Sequence, residues 1–258
     1  MITAASNSRI KRLVQLNQKS KLRRTEDVFL AEGVKMFLEA PREQLQEVYV
    51  SESFLEKCSC REHLEEVGYE VVSDSVFSKI SDTCTPQGVL CVLKQFHYNI
   101  EEMLRDKAPL FLLLENIQDP GNLGTMLRTG EGAGVSGIIM SRDTVDLYNP
   151  KVIRSTMGSI YRVPFYYADD FAAAVHQVQQ AGVSVYAAHL RGKNSYACQD
   201  YTKGTAFLIG NEGNGLREET AELADCYIRI PMEGKVESLN AAVASSILMY
   251  EACLLYTS

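Results

Sequence analysis

Two blocks of alternating strand and helix patterns follow one another along the chain. In the first block, apolar runs such as EVYVSES and GVLCVLK predict short strands, and the segments between them have helical spacing. In the second block, LFLLLEN, GIIMS and TAFLIGN are almost continuously apolar and again alternate with helix patterns. Strands of that kind are typical of a parallel sheet covered by helices on both faces. We therefore predict an α/β fold.

A polar stretch, KQFHYNIEEMLRDKAP at residues 94–109, separates the two blocks. Polar segments between periodic segments are typical of linkers. We predict a small N-terminal α/β domain over residues 1–95, a linker over 96–108 and a larger domain over 109–258. The second domain should contain the mostly parallel sheet.

Composition narrows the class of protein. The chain has 258 residues and 46% hydrophobic residues, which is enough for a sizeable core. It has no run of 18 apolar residues, and its basic first residues lack the apolar stretch of a secretory signal, so we expect a cytoplasmic protein without a membrane partner. The seven cysteines are scattered without a C-x-x-C pair, and we expect reduced thiols and no metal site.

Charge is segregated along the chain. The net charge is −7, yet residues 1–24 contain seven basic residues and no acidic residue, so the remainder carries −14. Such a segment is typical of a surface that binds the phosphates of a ligand. An amphipathic helix whose inner side carries Ile10, Leu13, Val14 and Leu16 explains the same pattern. The candidate phosphate-binding residues are Arg9, Lys11, Arg12, Lys19, Lys21, Arg23 and Arg24.

The segment GAGVSG, residues 132–137, fits the dinucleotide-binding pattern G-x-G-x-x-G. That site requires its glycines directly after a strand and at the start of a helix. Here the glycines lie at the end of a predicted helix, where glycine is common because it adopts the left-handed conformation that ends many helices. A nicotinamide-dependent oxidoreductase is therefore disfavoured.

Three polar or glycine-rich turns follow predicted strands. NIQDPGNLGTMLR contains Asn122, predicted to cap a helix, and Arg128 on the polar side of that helix. LIGNEGNGL contains Glu212, and IPMEGKVESLN contains Ser238, a predicted helix cap, followed by Asn240. The carboxyl ends of parallel strands meet at one edge of a sheet, where ligands bind. We expect the three turns to form a glycine-rich cleft there.

The three stretches resemble motifs 1, 2 and 3 of the SpoU (TrmH) family of RNA ribose 2'-O-methyltransferases, within the SPOUT superfamily. The resemblance covers about residues 108–256. The first block resembles the family's L30e-like substrate-binding domain through SNSRIKRLVQL, FLAEGVKMFLEA and SDTCTPQGVLCVL. Among the subgroups, the chain is most similar to the two-domain ribosomal RNA methylases.

This resemblance implies S-adenosylmethionine as methyl donor, ribosomal RNA as substrate, a trefoil-knotted C-terminal domain and a homodimer with shared sites. It also implies that the seven basic residues of the first 24 are RNA-binding residues. It implies functional roles for Asn122, Arg128, Glu212, Ser238 and Asn240. It also implies a donor pocket formed by Ala188, His189, Gly210, Asn211, Ile230, Met232, Ser238 and Leu239. The helix over 239–256 is apolar nearly all round, which independently favours a dimer. A non-catalytic RNA- or ribosome-binding protein that retains the fold is the alternative.

Overall fold

The computed structural model describes residues 1–105 and 108–257. Residues 106 and 107 of the predicted linker, and residue 258, lie outside the described residues. Up to residue 105 the elements are α1 Ser8–Gln18, α2 Ser20–Glu26, β1 Val28–Glu32, α3 Val34–Leu38, β2 Leu45–Ser51, α4 Glu52–Lys57, α5 Arg61–Val67, β3 Glu70–Val72, α6 Asp74–Ile80, β4 Val89–Lys94 and α7 Ile100–Met103.

The second part of the chain continues the alternation of strands and helices. Its elements are β5 Leu110–Leu114, α8 Pro120–Ala133, β6 Gly137–Ser141, α9 Pro150–Thr156, a 3-10 turn Ser159–Tyr161, β7 Phe165–Ala168, α10 Phe171–Gln180, β8 Ser184–Ala188, β9 Asn194–Ser195, a 3-10 turn Tyr196–Cys198, β10 Thr205–Ile209, α11 Glu218–Ala221, β11 Cys226–Arg229 and α12 Ala241–Thr257. In the described part of the chain, no helix has the length and apolarity needed to cross a membrane.

The chain divides into two compact units. The first contains residues 1–96 and 146–161, and the second contains the described residues within 97–145 and 162–258. In the first unit, the Tyr148 ring lies 4.8 Å from that of Phe29, and the Tyr161 hydroxyl donates to the Met36 carbonyl at 3.0 Å. The predicted boundaries place the segment 146–161 in the C-terminal domain, whereas in the structure it belongs to the first unit.

The first unit is built on a four-stranded sheet in the order β1-β4-β2-β3. β4 pairs antiparallel with β1 and β2, and β3 pairs parallel with β2. Helix α1 buries Ile10, Leu13 and Leu16 in the core of this unit, and Val14 packs against the same core. The amphipathic helix that the sequence predicts is therefore present, and its apolar side is part of the core.

The second unit contains a seven-stranded sheet in the order β7-β6-β5-β10-β8-β11-β9, with every pairing parallel. All five residues of β5, β6 and β10 are buried, as expected for strands covered on both faces. Helix α12 packs against α8, β5 and β10, and α10 packs against β6 and β8. This confirms the predicted α/β fold with a mostly parallel sheet.

Helix α8 ends at Gly134, whose φ of +74° places it in the left-handed region. The Gly134 N–H donates to the carbonyls of Glu131 and Gly130, and so closes the last turn. The G-x-G-x-x-G match lies at the end of this helix, and the expectation that its glycines terminate the helix is confirmed.

Candidate active site

The three motif turns lie at the carboxyl ends of parallel strands in the second unit. The turn at 116–119 follows β5, the loop at 210–216 follows β10, and the segment at 230–240 follows β11. β5 and β10 are neighbours, and β8 separates β10 from β11. Parallel strands end at the same edge, so all three turns gather there, as the sequence predicts.

Three polar side chains connect the three turns. Asn122 Nδ2 donates to Glu212 Oε1 at 3.0 Å, and Asn240 Nδ2 donates to Asn122 Oδ1 at 3.0 Å. Each of the three motifs therefore contributes one member to a continuous hydrogen-bonded chain. We call this set, Asn122, Glu212 and Asn240, the polar triad.

Asp119, and not Asn122, caps helix α8. The Asp119 Oδ1 accepts from the Asn122 N–H at 2.8 Å, and Pro120 occupies the first helical position, which suits its fixed φ. The predicted cap at Asn122 is therefore wrong. Because Asp119 satisfies the helix terminus, the Asn122 side chain is available to bind Glu212 and Asn240.

The predicted helix cap at Ser238 is also wrong. Asn240 Oδ1 accepts from the N–H groups of Ala242 at 2.9 Å and Val243 at 3.2 Å, so Asn240 caps α12. Its Nδ2 points to Asn122 at the same time. Ser238 lies two residues earlier, exposed, on the wall of the cleft described below.

The Glu212 carboxylate accepts three hydrogen bonds from the first motif. The Gln118 N–H donates at 3.1 Å, and the Asp119 N–H and Asn122 Nδ2 each donate at 3.0 Å. Partial burial acts to raise the pKa of Glu212, but these hydrogen bonds outweigh it and hold the pKa below its usual value. Glu212 is therefore ionised near neutral pH.

Arg128 lies on the solvent side of α8. Leu123, Met126 and Leu127 are fully buried, as predicted, whereas the Arg128 side chain is exposed. Within residues 1–105 and 108–257, Arg128 makes no hydrogen bond or ion pair. Its guanidinium is therefore free to bind an anionic ligand.

A cleft of about 260 Å³ opens at the same edge of the sheet. Its lining includes every residue predicted for the donor pocket: Ala188, His189, Gly210, Asn211, Ile230, Met232, Ser238 and Leu239. Glu212 also lines it, so the cleft and the polar triad share a residue. The lining residues that the sequence analysis missed include Leu190, Ile209, Ile228, Arg229 and Leu248. Most of them lie at or near the ends of the same strands, a position that could have pointed to them.

The loop at 210–216 lines one side of this cleft. Asn211 and Gly215 exchange N–H to carbonyl hydrogen bonds at 3.0 and 2.9 Å, so the loop folds back on itself. A Cβ on Gly210 would lie 2.2 Å from main-chain atoms of Gly215 and Leu216, and only glycine fits there. A cleft lined by apolar side chains and a glycine-rich loop suits a flat heterocyclic ligand.

His189 lies on the cleft wall, but its ring is also held structurally. Its Nδ1 accepts from the Arg191 N–H at 3.2 Å, and its ring centroid lies 5.0 Å from that of Tyr227. Burial and the neighbouring Arg191 guanidinium lower the pKa of His189. The imidazole is therefore neutral near pH 7.

The predicted RNA-binding residues lie in the first unit, and the structure separates them into different groups. Arg23 is 3% exposed, and its guanidinium binds Asp146 Oδ2 at 2.5 Å and the Leu16 carbonyl at 2.6 Å. A buried, paired guanidinium is not accessible to RNA, so the prediction for Arg23 is corrected to a structural role. Arg12 is half-buried and binds both Glu26 and Glu47 at 2.6 Å.

The remaining basic side chains of this segment are exposed. Arg9 pairs with Glu70 at 3.2 Å. Among the residues that the structure describes, Lys11, Lys19, Lys21 and Arg24 form no ion pair. We call these four residues the basic surface.

The fold and the cleft define an α/β protein with a candidate ligand-binding cleft at the carboxyl edge of a parallel sheet. Residues 109–250 match the model of the SpoU rRNA Methylase family, and residues 7–91 match that of the MRM3-like substrate binding domain. The chain belongs to the SpoU rRNA Methylase family.

Relatives of known name cover nearly the whole chain. The 23S rRNA (guanosine(2553)-2'-O)-methyltransferase RlmP of Bacillus subtilis is 32% identical, over 96% of this chain and 97% of the relative. The AdoMet-bound rRNA methyltransferase of Sinorhizobium meliloti is 31% identical with a TM-score of 0.84, over 97% of this chain and 96% of the other. The SpoU methyltransferase AviRb of Streptomyces viridochromogenes, in complex with AdoMet, is 25% identical with a TM-score of 0.88, over 98% and 99%.

Candidate metal ligands do not cluster in residues 1–105 and 108–257. No group of three or more His, Cys, Asp or Glu side chains is arranged there to hold a metal ion.

Proposed function

We propose that this chain is an S-adenosylmethionine-dependent methyltransferase that modifies a ribose 2'-hydroxyl in ribosomal RNA. The observation that carries the proposal is that Glu212 belongs both to the glycine-rich cleft and to the polar triad. A donor pocket and a polar site from three separate motifs are thus joined at one residue. The relatives with whole-chain similarity carry the names of rRNA methyltransferases, which supports this activity.

The cleft suits the donor by its chemistry. Gly210, Asn211 and the rest of their loop offer main-chain groups to a purine ring, and Ile230 and Leu239 offer apolar walls that exclude water. When bound, S-adenosylmethionine supplies the methyl group that the ribose oxygen receives. Its sulfonium is positive, and the nearby Glu212 carboxylate gives the rim of the cleft a complementary charge.

Arg128 is the residue that we assign to the RNA. A guanidinium stays protonated at neutral pH, so Arg128 can hold the phosphate beside the target ribose and polarise the hydroxyl, but it cannot accept the hydroxyl proton. That proton passes to water or to a phosphate oxygen. Ser238 is exposed on the cleft wall and has a hydroxyl that can bind the ribose.

The polar triad aligns the parts of the site. Glu212 binds the turn that begins α8, and Asn240, at the start of α12, binds Asn122 in the first turn of α8. In methyl transfer by in-line displacement, the ribose 2'-oxygen must be aligned with the methyl carbon of the donor. Turns that are held rigidly by hydrogen bonds provide that alignment. We also propose that the basic surface binds RNA, and that the chain acts as a homodimer in the cytoplasm, where ribosomal RNA lies.

Two measurements test the proposed function. Calorimetry in the presence of a chelator should detect binding of S-adenosylmethionine or S-adenosylhomocysteine to the purified chain. Transfer of labelled methyl groups should then be measured on ribosomal RNA from cells that lack the gene, followed by mapping of the 2'-O-methyl site. No binding at millimolar ligand would remove the donor assignment. Donor binding without transfer to any ribosomal RNA would favour the non-catalytic RNA-binding alternative.

A further inference from the structure

Glu115 is a buried carboxylate that the site described above does not use. It follows the last residue of β5 and is 1% exposed. Its Oε2 accepts from the Arg217 N–H at 2.8 Å, and its Oε1 accepts from the Thr220 hydroxyl at 2.5 Å. The Arg217 guanidinium lies 3.4 Å from the same carboxylate. Each oxygen of this buried group therefore has at least one donor.

Arg217 directly follows the loop at 210–216, which forms one wall of the cleft. Besides Glu115, its guanidinium binds the Asp143 carboxylate, which follows β6. The Asp143 carbonyl in turn accepts from Gln118 Nε2 at 2.6 Å, and the Gln118 N–H donates to Glu212. Arg217, just after the loop, is therefore connected through Asp143 and Gln118 to Glu212 within the loop.

The bonds between the turn and the loop run in both directions. Glu115, directly before the first motif, accepts donors from Arg217 and Thr220, which follow the loop. Glu212, within the loop, accepts donors from Gln118, Asp119 and Asn122 of the first motif. Two carboxylates thus join the same two segments reciprocally. We call Glu115, Arg217 and Asp143 the loop anchor.

We propose that Glu115 and Arg217 are positioning residues that fix the loop at 210–216, and thereby control the affinity for S-adenosylmethionine; this rests on the proposed function. A loop that is ordered before binding loses no conformational freedom when the ligand enters. Without Arg217 the loop keeps its internal Asn211–Gly215 hydrogen bonds but loses part of its attachment to the sheet edge. The donor must then order the loop, and its affinity falls.

Arg217→Met is the variant that tests the proposal. It removes both ion pairs but keeps the main-chain N–H and the Thr220 hydroxyl that satisfy Glu115, so the fold should persist. The matched control is Arg142→Met, which removes an exposed arginine paired with Asp169 in the same unit. Calorimetry with S-adenosylhomocysteine should show about a three- to tenfold loss of affinity for Arg217→Met, because the Arg217 side chain is half exposed but one of its two partners, Glu115, is buried. The control should remain within about twofold of the unchanged chain.

Further readouts separate positioning from a general loss of structure. In steady-state transfer, Arg217→Met should raise KM for S-adenosylmethionine much more than it lowers kcat, while binding of ribosomal RNA stays close to that of the control. Arg217→Lys should recover only part of the affinity, because one ammonium cannot bridge two carboxylates as a guanidinium can. Equal losses of donor and RNA affinity, in step with a lower Tm, would overturn the positioning role.

Hydrogen exchange tests the loop without any ligand. The amides of residues 211–217 should exchange faster in Arg217→Met, and also in Glu115→Gln, than in the Arg142→Met control. Unchanged exchange in both variants would overturn the inference whether or not the chain binds the donor. Failure of the unchanged chain to bind the donor would instead contradict the proposed function.

Discussion

At the scale of single residues, Asn122 and Asn240 each use both ends of an amide. Asn122 donates to Glu212 and accepts from Asn240, and Asn240 donates to Asn122 while its oxygen accepts two N–H groups of α12. Aspartate cannot serve at either position, because a carboxylate lacks the donor that Asn122 directs to Glu212 and that Asn240 directs to Asn122. A hydroxyl side chain is too short to reach both partners. The chemistry of the triad therefore requires asparagine at both positions.

Arg128→Ala should abolish most of the activity without harming the fold. Its side chain is exposed and unpaired among the described residues, whereas Leu123, Met126 and Leu127 provide the packing of α8. Single-turnover methyl transfer should fall by about 10² to 10⁴, the range for removal of a charge-stabilising group. Arg128→Lys should recover little, because an ammonium lacks the planar fork that grips two acceptors.

The control for Arg128→Ala is Arg142→Ala, another exposed arginine of the second unit. Thermal melts and donor binding should match for both variants. Near-normal transfer by Arg128→Ala would refute its role, and a large fall in its Tm would assign Arg128 to structure instead.

The pH dependence of donor binding should reflect Glu212. Partial burial opposes ionisation of Glu212, but the hydrogen bonds from Asn122, Asp119 and Gln118 lower its pKa. Because the folded pKa lies below the unfolded one, the stabilising bonds are fully present above the ordinary glutamate pKa of about 4.3 and disappear as the pH falls through the folded value. The hydrogen bonds of Glu212 should therefore stay intact on acidification to about pH 5, so that titration of Glu212 causes no loss of donor affinity above that pH.

Glu212→Gln provides the comparison. It should bind the donor more weakly at neutral pH, because a glutamine has one acceptor oxygen where the carboxylate accepts three donors. Calorimetry from acid to neutral pH on both chains checks this. An equal affinity of the two chains at neutral pH would show that the charge of Glu212 does not hold the site.

At the scale of elements, α8 and α12 approach each other closely at Gly132. A Cβ on Gly132 would lie 3.0 Å from the Tyr250 hydroxyl of α12. Ser246 also donates to the Thr129 hydroxyl between the same two helices at 3.3 Å. Close packing of these two helices brings Asn240, at the start of α12, to Asn122 in the first turns of α8. The glycines that mimic a dinucleotide motif thus serve helix packing and termination.

Helix α1 combines packing with exposed charge, so deletion of residues 1–24 would remove Ile10, Leu13 and Leu16 from the core. Substitution of the basic surface, Lys11, Lys19, Lys21 and Arg24, by glutamine is the cleaner change. It should weaken RNA binding and reduce the slope of log affinity against log salt by about 0.7 to 0.9 for each phosphate that the protein no longer binds. Filter binding across salt concentrations measures that slope.

Arg23→Met is the matched comparison for the basic surface. Its guanidinium is buried, so its removal should lower stability by about 1–3 kcal/mol and leave the salt slope unchanged. Donor affinity should stay the same in all these variants. A salt slope unaffected by removal of the four exposed charges would show that α1 is only a structural helix.

At the scale of the whole molecule, α12 carries apolar side chains on its solvent side as well as on its core side. Val243, Ile247, Tyr250 and Leu254 follow the spacing of one helical stripe, and Val243, Tyr250 and Leu254 are 48%, 44% and 59% exposed. A stripe of this kind on a solvent-facing helix is typical of an interface with another chain. The homodimer is the partner that we propose for it.

Sedimentation should detect a dimer of the unchanged chain, and Val243→Glu combined with Leu254→Glu should shift it to monomer. Both positions face solvent, so the Tm of the isolated chain should change little. Loss of methyl transfer along with the dimer would support shared sites. A fully active monomer would contradict them.

Hydrophobic spacing and glycine placement were sufficient to predict the α/β fold and the edge of the sheet where the turns meet. Those properties follow from local periodicity, together with the rule that parallel strands end at a common edge. Spacing could not assign the helix caps, because Asp119 and Asn122, or Ser238 and Asn240, are all good capping residues close to a helix start. The choice depends on which side chain has another partner in the folded chain.

The same reason applies to Arg23 and to the loop anchor. Nothing in the sequence distinguishes Arg23 from the six basic residues around it, and only the inclusion of residues 146–161 in the first unit provides Asp146 as its partner. Glu115 and Arg217 are 102 positions apart along the chain. They meet because β5 and β10, distant in sequence, are neighbours in the sheet. Glu115 is buried there, so its carboxylate depends on donors from the residues that follow the loop.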